Sequence, residues 1–258
     1  FFRERILVNI IDRFRLDGKK ALVTGGGQGL GRAFTHALAE AGADVAIVDI
    51  NINKAKKVAK EINSIGKKSF AMKADISLYS DVHKMVDKII SEWGGLDIAV
   101  NNVGVTKFSD ALKVNEKDWD WIVDTNLRGT FFCGQAEAEA MIPKGYGKII
   151  NTASICGHIV WPQFQAVYNI TKAGIIHLTR SLAVEWAKYG IRVNSISPGV
   201  TITPGLTKKV ISIFINKAPI GKTAEVKDLQ GTVVFLASGA SDFITGQDIV
   251  IDGGYTIM

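Results

Sequence analysis

The chain has 258 residues, of which 47% are hydrophobic and 22% charged, enough apolar surface to offset the entropy lost on folding; this excludes a disordered polymer and favours a single α/β domain. The net charge of +6 and pI near 9.2 come from lysines scattered over Lys54, Lys56, Lys57, Lys60, Lys67, Lys68 and later positions, a solvated distribution rather than a nucleic-acid face. Cys133 and Cys156 are far apart, with neither CxxC nor metal-ligand spacing, so no disulfide framework and no metal site is expected, and a reducing cytoplasm fits.

The first residues are apolar but interrupted by Arg3, Glu4, Arg5, Asp12 and Arg13, and no apolar run approaches the roughly 20 residues that cross a bilayer. Residues 1–15 therefore read as an amphipathic N-terminal extension, neither signal peptide nor membrane span. From residue 16 to 258, β-branched apolar runs alternate with stretches of helical period, the pattern of βαβ units around a parallel sheet. Strands are expected at 20–24, 44–49, 69–73, 98–101, 148–154, 192–196 and 249–252. Helices are expected at about 29–41, 53–65, 80–93, 118–141, 165–189 and 226–237. The fold class is thus α/β, a doubly wound Rossmann domain with a seven-stranded parallel sheet, helices on both faces and all strand carboxyl ends along one edge. The irregular stretch 199–220, with Pro204, Gly205 and Pro219, follows the sixth strand and reads as a substrate lid over about residues 200–220.

After the first strand comes Thr24-Gly25-Gly26-Gly27-Gln28-Gly29-Leu30-Gly31, leading into a helix with Ala33, Phe34, Ala37 and Leu38. A glycine turn between strand and helix lets the backbone approach a pyrophosphate, whose charge the helix N-terminus stabilises. The second strand ends at Asp49, 18 residues beyond Gly31, where a carboxylate can accept both ribose hydroxyls and repel a 2′-phosphate. No Arg or Lys follows at Ile50 or Asn51 to receive that phosphate, so NAD is the expected cofactor. Asp75 is placed to bond adenine, Ile76 to touch its ring, and Asn101-Asn102-Val103-Gly104 to form a turn that admits the cofactor.

Tyr168 and Lys172 stand four residues apart in a helical stretch and share one face. A nearby ammonium favours phenolate, so the phenol is expected to titrate towards neutrality and act as general base. Ser154, at the end of the fifth strand, can stabilise charge on a substrate oxygen, and Asn126 can continue a proton relay from Lys172.

These motifs, in this order, resemble the short-chain dehydrogenase/reductase family from Leu16 to Tyr255. They are the TGxxxGxG turn, Asp49, Asp75, Asn101 to Gly104, Asn126, Ser154, the YxxxK of Tyr168 and Lys172, and Pro198-Gly199 followed by Thr201 and Thr203. The resemblance implies a metal-free catalytic tetrad of Asn126, Ser154, Tyr168 and Lys172. It implies a cofactor held by Gly25, Gln28, Gly29, Leu30, Gly31, Asp49, Ile50, Asp75, Ile76, Asn102, Gly104, Tyr168, Lys172, Pro198, Gly199, Thr201 and Thr203. It implies also a homotetramer acting on a small molecule. Val103 stands where the family usually has Ala, and the lid is several residues shorter than in polyol-oxidising relatives, which leaves the pocket more open unless lid residues are absent from the sequence.

Within the family, Pro162-Gln163, Tyr168-Asn169, His177-Leu178-Thr179, Glu185-Trp186-Ala187 and the closing Asp252-Gly253-Gly254-Tyr255 are similar to enzymes interconverting polyols and ketoses. Ser154, Cys156, His158, Gln163 and Asn169 are the candidate substrate contacts. His177, Glu185 and Trp186 fit helix packing or a subunit interface equally well. The alternatives are a 3-oxoacyl reductase of fatty-acid synthesis, disfavoured by Asp49, and a hydroxysteroid or secondary-alcohol dehydrogenase with Trp161, Phe164 and Ile213 lining an apolar pocket. An NAD-sensing scaffold is disfavoured by the intact tetrad.

Overall fold

The computed structural model describes residues 9–161, 164–204 and 206–258. Seven strands, β1 (Lys20–Thr24), β2 (Asp44–Asp49), β3 (Ser69–Lys73), β4 (Ile98–Asn101), β5 (Gly147–Thr152), β6 (Ile191–Pro198) and β7 (Asp248–Ile251), form one parallel sheet in the order β3-β2-β1-β4-β5-β6-β7. The order reverses between β1 and β4, and the crevice opened there at the strand carboxyl ends is where such sheets bind ligands.

Both faces of the sheet are covered, which is why its strands read as unbroken apolar runs rather than as an alternation. On one face Ala21, Val23, Val45, Ile47 and Val100 pack against α1 (Gly29–Glu40), α2 (Ile52–Ser64) and, through Leu229, Val233 and Leu236, α8 (Lys227–Ala237). On the other, Leu22, Ala46, Val48, Ala99 and Ile149 pack against α3 (Tyr79–Trp93), α5 (Gly129–Met141) and α6 (Ala166–Trp186). The N-terminal segment forms a 3₁₀ turn, Ile10–Phe14, with no buried residue; Arg13 donates to the Gly239 carbonyl at 2.8 Å.

Three expectations are corrected. The fifth strand ends at Thr152 rather than 154, because Ser154 caps a 3₁₀ turn and accepts the Cys156 N–H at 3.1 Å. The helix expected over 118–141 is divided into α4 (Glu116–Val123), a π-helical turn Asp124–Arg128, and α5. Asn126 sits in that turn with its side chain bonded to the Val105 backbone, an anchor that a regular helix would not require. The stretch expected to be irregular holds α7 (Lys208–Ile215), capped by Thr207 and anchored by buried Phe214. Its run of β-branched residues has weak helix preference, and the packing of Phe214 against Trp161 and Tyr255 holds it.

Among the described residues no helix is long and apolar enough to cross a membrane, and no three His, Cys, Asp or Glu side chains cluster as metal ligands would.

Candidate active site

At the crevice, the chain leaves β1 through Gly25 (φ +64°) and Gly29 (φ +53°), backbone conformations open to glycine. Gly31 is required by a close approach: a Cβ there would lie 2.1 Å from the Gly25 carbonyl oxygen, so the start of α1 packs directly on the turn. Asn102 fastens the turn to β4, donating from Nδ2 to the Thr24 and Gly25 carbonyls at 3.2 and 3.4 Å. Gln28 caps α1 without a side-chain bond to its first turn, and that turn carries no acid, which leaves N–H groups and the positive helix end for an anion. A cleft of about 440 Å³ opens beside it, walled by Gly25, Gln28, Gly29, Leu30, Asp49, Ile50, Asp75, Ile76, Asn102 and Gly104. This donor set and its bare glycine backbone fit a dinucleotide.

The Asp49 carboxylate is pinned in that wall, accepting the Gly27 N–H at 3.0 Å and the Asn51 N–H at 2.9 Å. Lys54, from the first turn of α2, reaches the same corner and donates to Gln28 Oε1 at 2.5 Å. Ile50 and Asn51, the neighbours of Asp49 in sequence, carry no charge, and Lys54 supplies the cation here. It lies one helical turn further on, and the fold of α2 brings it back over the glycine turn.

A second cavity, of about 880 Å³, adjoins the first, with Thr203 and Pro204 in both walls. Ser154, Cys156, Gln165, Tyr168, Pro198 and Gly199 line it on the sheet side. The i, i+4 spacing on α6 sets the Lys172 ammonium 5.6 Å from the centre of the Tyr168 ring. Lys172 is buried and donates to the Thr152 carbonyl at 2.7 Å. Burial is the dominant influence on both groups: it lowers Lys172 to about 8 and pushes the Tyr168 phenol up, outweighing the nearby Ser154 hydroxyl, which favours phenolate. Desolvation thus works against the expected phenolate near neutrality and favours a protonated Tyr168. Asn126 bonds Val105 and Thr171, the latter at 3.1 Å, rather than Lys172 itself.

Behind the site a buried polar chain ties four elements together. Asn101 Nδ2 donates to Glu137 Oε2 at 3.0 Å and to Asn151 Oδ1 at 3.2 Å, and Asn151 donates to Thr179 at 3.0 Å. Glu137 Oε1 and Asn101 Oδ1 have no partner among the described residues, and burial pushes the Glu137 carboxyl up to about 8. A proton on Glu137 supplies the donor that this pair of bare acceptors lacks. Because the folded value is raised, the stabilisation is complete below the ordinary carboxyl range and is lost as pH rises towards 8. Glu137→Gln keeps the shape and provides an N–H₂, so thermal melts across pH are expected to show little change near about pH 4 and a gain on the order of 3 kcal/mol near about pH 8. Parallel pH profiles for the two proteins would refute a protonated Glu137.

Residues 25–256 match the family model described as Enoyl-(Acyl carrier protein) reductase. The chain is 40% identical over 256 residues to an NADP-dependent mannitol dehydrogenase of Hypocrea jecorina, covering 96% of each protein. The chain belongs to the short-chain dehydrogenase/reductase family. It is also 38% identical over 240 residues to a 3-oxoacyl-[acyl-carrier-protein] reductase of Staphylococcus aureus, covering 92% of this chain and 97% of that protein. Among solved structures, a gluconate 5-dehydrogenase of Burkholderia cenocepacia in complex with NADP and tartrate superimposes with a TM-score of 0.92 at 36% identity, covering 97% of this chain and 100% of that one. This short-chain dehydrogenase/reductase is accordingly an oxidoreductase of CH–OH groups that uses a nicotinamide cofactor.

Against this family frame, several residues expected at the site stand elsewhere. His158 turns to β7, its Nε2 2.7 Å from Asp248 Oδ2, and is corrected from substrate contact to surface tether. Asn169 has a buried Oδ1 with no partner among the described residues and does not line the cavity, because the α6 turn that presents Tyr168 inward carries its neighbour away. Gln163 lies outside the described residues. Thr201 is buried and its hydroxyl is 3.2 Å from the Gly199 carbonyl, so only its backbone remains for a cofactor, whereas Thr203 lines both cavities. Of the apolar candidates, Trp161 and Phe164 line the larger cavity and Ile213 does not; it packs on the cluster of Trp161, Phe214 and Tyr255. Gln165, taken in the sequence only as the start of a helix, lines the cavity.

Proposed function

We propose that this enzyme uses NAD to interconvert a secondary alcohol and a ketone, most suitably a polyol and its ketose. The observation that carries the reading is that the cavity lined by Ser154 and Tyr168 adjoins the glycine-turn cleft at Thr203 and Pro204, with the Lys172 ammonium 5.6 Å from the centre of the Tyr168 ring. Gly25, Gln28, Gly29, Leu30 and Gly31 would hold the pyrophosphate, Asp49 the adenosine ribose, Asp75 and Ile76 the adenine, and Thr203 the carboxamide. When bound, the nicotinamide supplies the carbon that takes or gives hydride. Tyr168 holds the proton that passes to or from the substrate oxygen. Ser154, whose oxygen is occupied by the Cys156 N–H, turns its own hydrogen towards that same oxygen. Lys172 binds the nicotinamide ribose and, as a cation, eases loss of the Tyr168 proton; Asn126 holds the adjoining backbone of Val105. Because Tyr168 begins protonated, carbonyl reduction meets a ready donor near neutrality, and alcohol oxidation accelerates as pH rises.

Asp49 supports NAD, although a relative and a structural neighbour are NADP proteins. The mannitol and gluconate dehydrogenases among the similar proteins, together with Thr106, Ser109, Gln165 and Thr207 in the cavity wall, support a hydroxylated substrate. A 3-oxoacyl substrate is the second reading, supported by the apolar Trp161, Phe164, Leu206 and Val210 and by the Staphylococcus aureus relative. Residues 16–258 are read as one domain with residues 1–15 as its extension. The unpaired cysteines fit a reducing cytoplasm, and Phe131 and Val184, exposed on α5 and α6, fit helix pairing in a homotetramer. Following NADH absorbance over a panel of polyols, secondary alcohols and 3-oxoacyl thioesters, with each cofactor, is expected to give turnover of a polyol with NAD preferred. Preference for the thioester with NADPH would replace this reading with the second.

A further inference from the structure

Thr171 stands between Tyr168 and Lys172 on α6, is fully buried, and lines neither cavity. Its hydroxyl donates to the Tyr168 carbonyl at 2.8 Å and accepts from Asn126 Nδ2 at 3.1 Å. Asn126, also fully buried, is locked to the loop beyond β4: its Oδ1 accepts the Val105 N–H at 2.7 Å, and its Nδ2 donates to the Val105 carbonyl at 2.8 Å. That loop walls the cofactor cleft through Asn102, Val103, Gly104 and Val105. It also lies directly against the lysine, since a Cβ on Gly104 would stand 3.2 Å from Lys172 Nζ.

A continuous run of hydrogen bonds therefore leads from the wall of the cofactor cleft, through Asn126 and Thr171, to the backbone of the turn that carries Tyr168. A hydroxyl bonded back to the carbonyl three residues earlier is common for Thr in a helix and by itself sets only the rotamer. The bond from Asn126 adds the consequence, because it ties that rotamer to a separate element, the π turn Asp124–Arg128. Hydride and proton must pass to one substrate, so the cofactor and the phenol have to stand at one separation, and a misplacement of about 1 Å costs on the order of a hundredfold in rate. The cleft wall seats the cofactor and α6 carries the phenol. A bond between these two bodies fixes the distance between them.

We propose that Thr171 is a positioning residue, holding the Tyr168 turn of α6 at a fixed separation from the cofactor wall through Asn126. The assignment rests on Tyr168 as the group that transfers the proton, and adds to it a residue that touches neither substrate nor cofactor. The same helix supplies a control. Thr179, two turns further on, is equally buried, donates to the Ile175 carbonyl at 2.8 Å and accepts from Asn151 Nδ2 at 3.0 Å, the same pair of bonds made away from Tyr168.

Thr171→Val and Thr179→Val keep the β-branched shape, remove the hydroxyl and leave a buried amide hydrogen without its acceptor, so both are expected to lower the melting temperature. Only Thr171→Val is expected to lower kcat, by about tenfold or more, for the alcohol of the panel that the wild type oxidises fastest. Its KM and its NADH affinity, read by fluorescence titration, should stay within about a factor of two to three, and the primary deuterium isotope effect on kcat should rise as hydride transfer becomes slower. Thr171→Ser restores the hydroxyl and is expected to recover most of the rate. Thr171→Ala, which leaves room for a water to take the Asn126 hydrogen bond, gives the same comparison if the valine variant does not fold. Equal losses of kcat in the two valine variants overturn the proposal, as does a serine variant no faster than valine. Undiminished turnover in Tyr168→Phe overturns the reading of Tyr168 itself. An inactive Tyr168→Phe beside a Thr171→Val at full rate overturns the assignment of Thr171 alone.

Discussion

Tyr168→Phe is expected to lower kcat by about 10³-fold for oxidation and reduction alike, the upper range for loss of a positioned proton donor. Phe keeps the ring and its packing beside Ile155 and Trp161, and it leaves the glycine turn, Asp49 and Lys172 untouched. NADH affinity, read by fluorescence titration, should therefore stay within about a factor of two to three, so that the effect falls on the chemical step. The pH profile provides a second readout. The wild-type oxidation rate should climb as the phenol titrates, and the residual activity of the variant should not follow that climb. Undiminished turnover, or a loss that appears wholly in NADH binding, would remove Tyr168 from its assigned role.

Asp49→Asn is expected to reverse most of the cofactor preference, lowering the ratio of kcat/KM with NAD over NADP by about 10²-fold, the scale of one close like-charge contact at a partly buried site. Asn keeps an oxygen for the Gly27 or Asn51 N–H, so the turn is retained while the negative charge is removed. The Lys54 ammonium, held at Gln28, then becomes the dominant nearby charge and would attract a 2′-phosphate. Initial rates with the two cofactors at subsaturating concentration measure this directly. If the wild type already prefers NADP, the influence of Lys54 exceeds that of Asp49 and the NAD reading fails.

The amino-acid sequence by itself determined the architecture and the frame of the site. Seven apolar runs separated by helical periods specify a parallel sheet covered on both faces, and these patterns are local: periods of 2 and 3.6 and a glycine turn between them are legible without any knowledge of contacts. The spacing of Tyr168 and Lys172 is local in the same sense, since four residues on a helix dictate a shared face wherever the helix lies. The tertiary structure decided what depends on encounters between distant segments. Asn126 lies in a π turn because Val105 meets it there, and Lys54 joins the cofactor cleft because α2 folds back over Gln28. His158 is drawn to Asp248 across 90 residues of sequence, and Gln165 bonds Cys156 in the cavity wall. The protonation of Tyr168 belongs to this second group. Its partner Lys172 is evident from spacing, but desolvation depends on everything packed around the pair, and here it outweighs the favourable influence of the Ser154 hydroxyl.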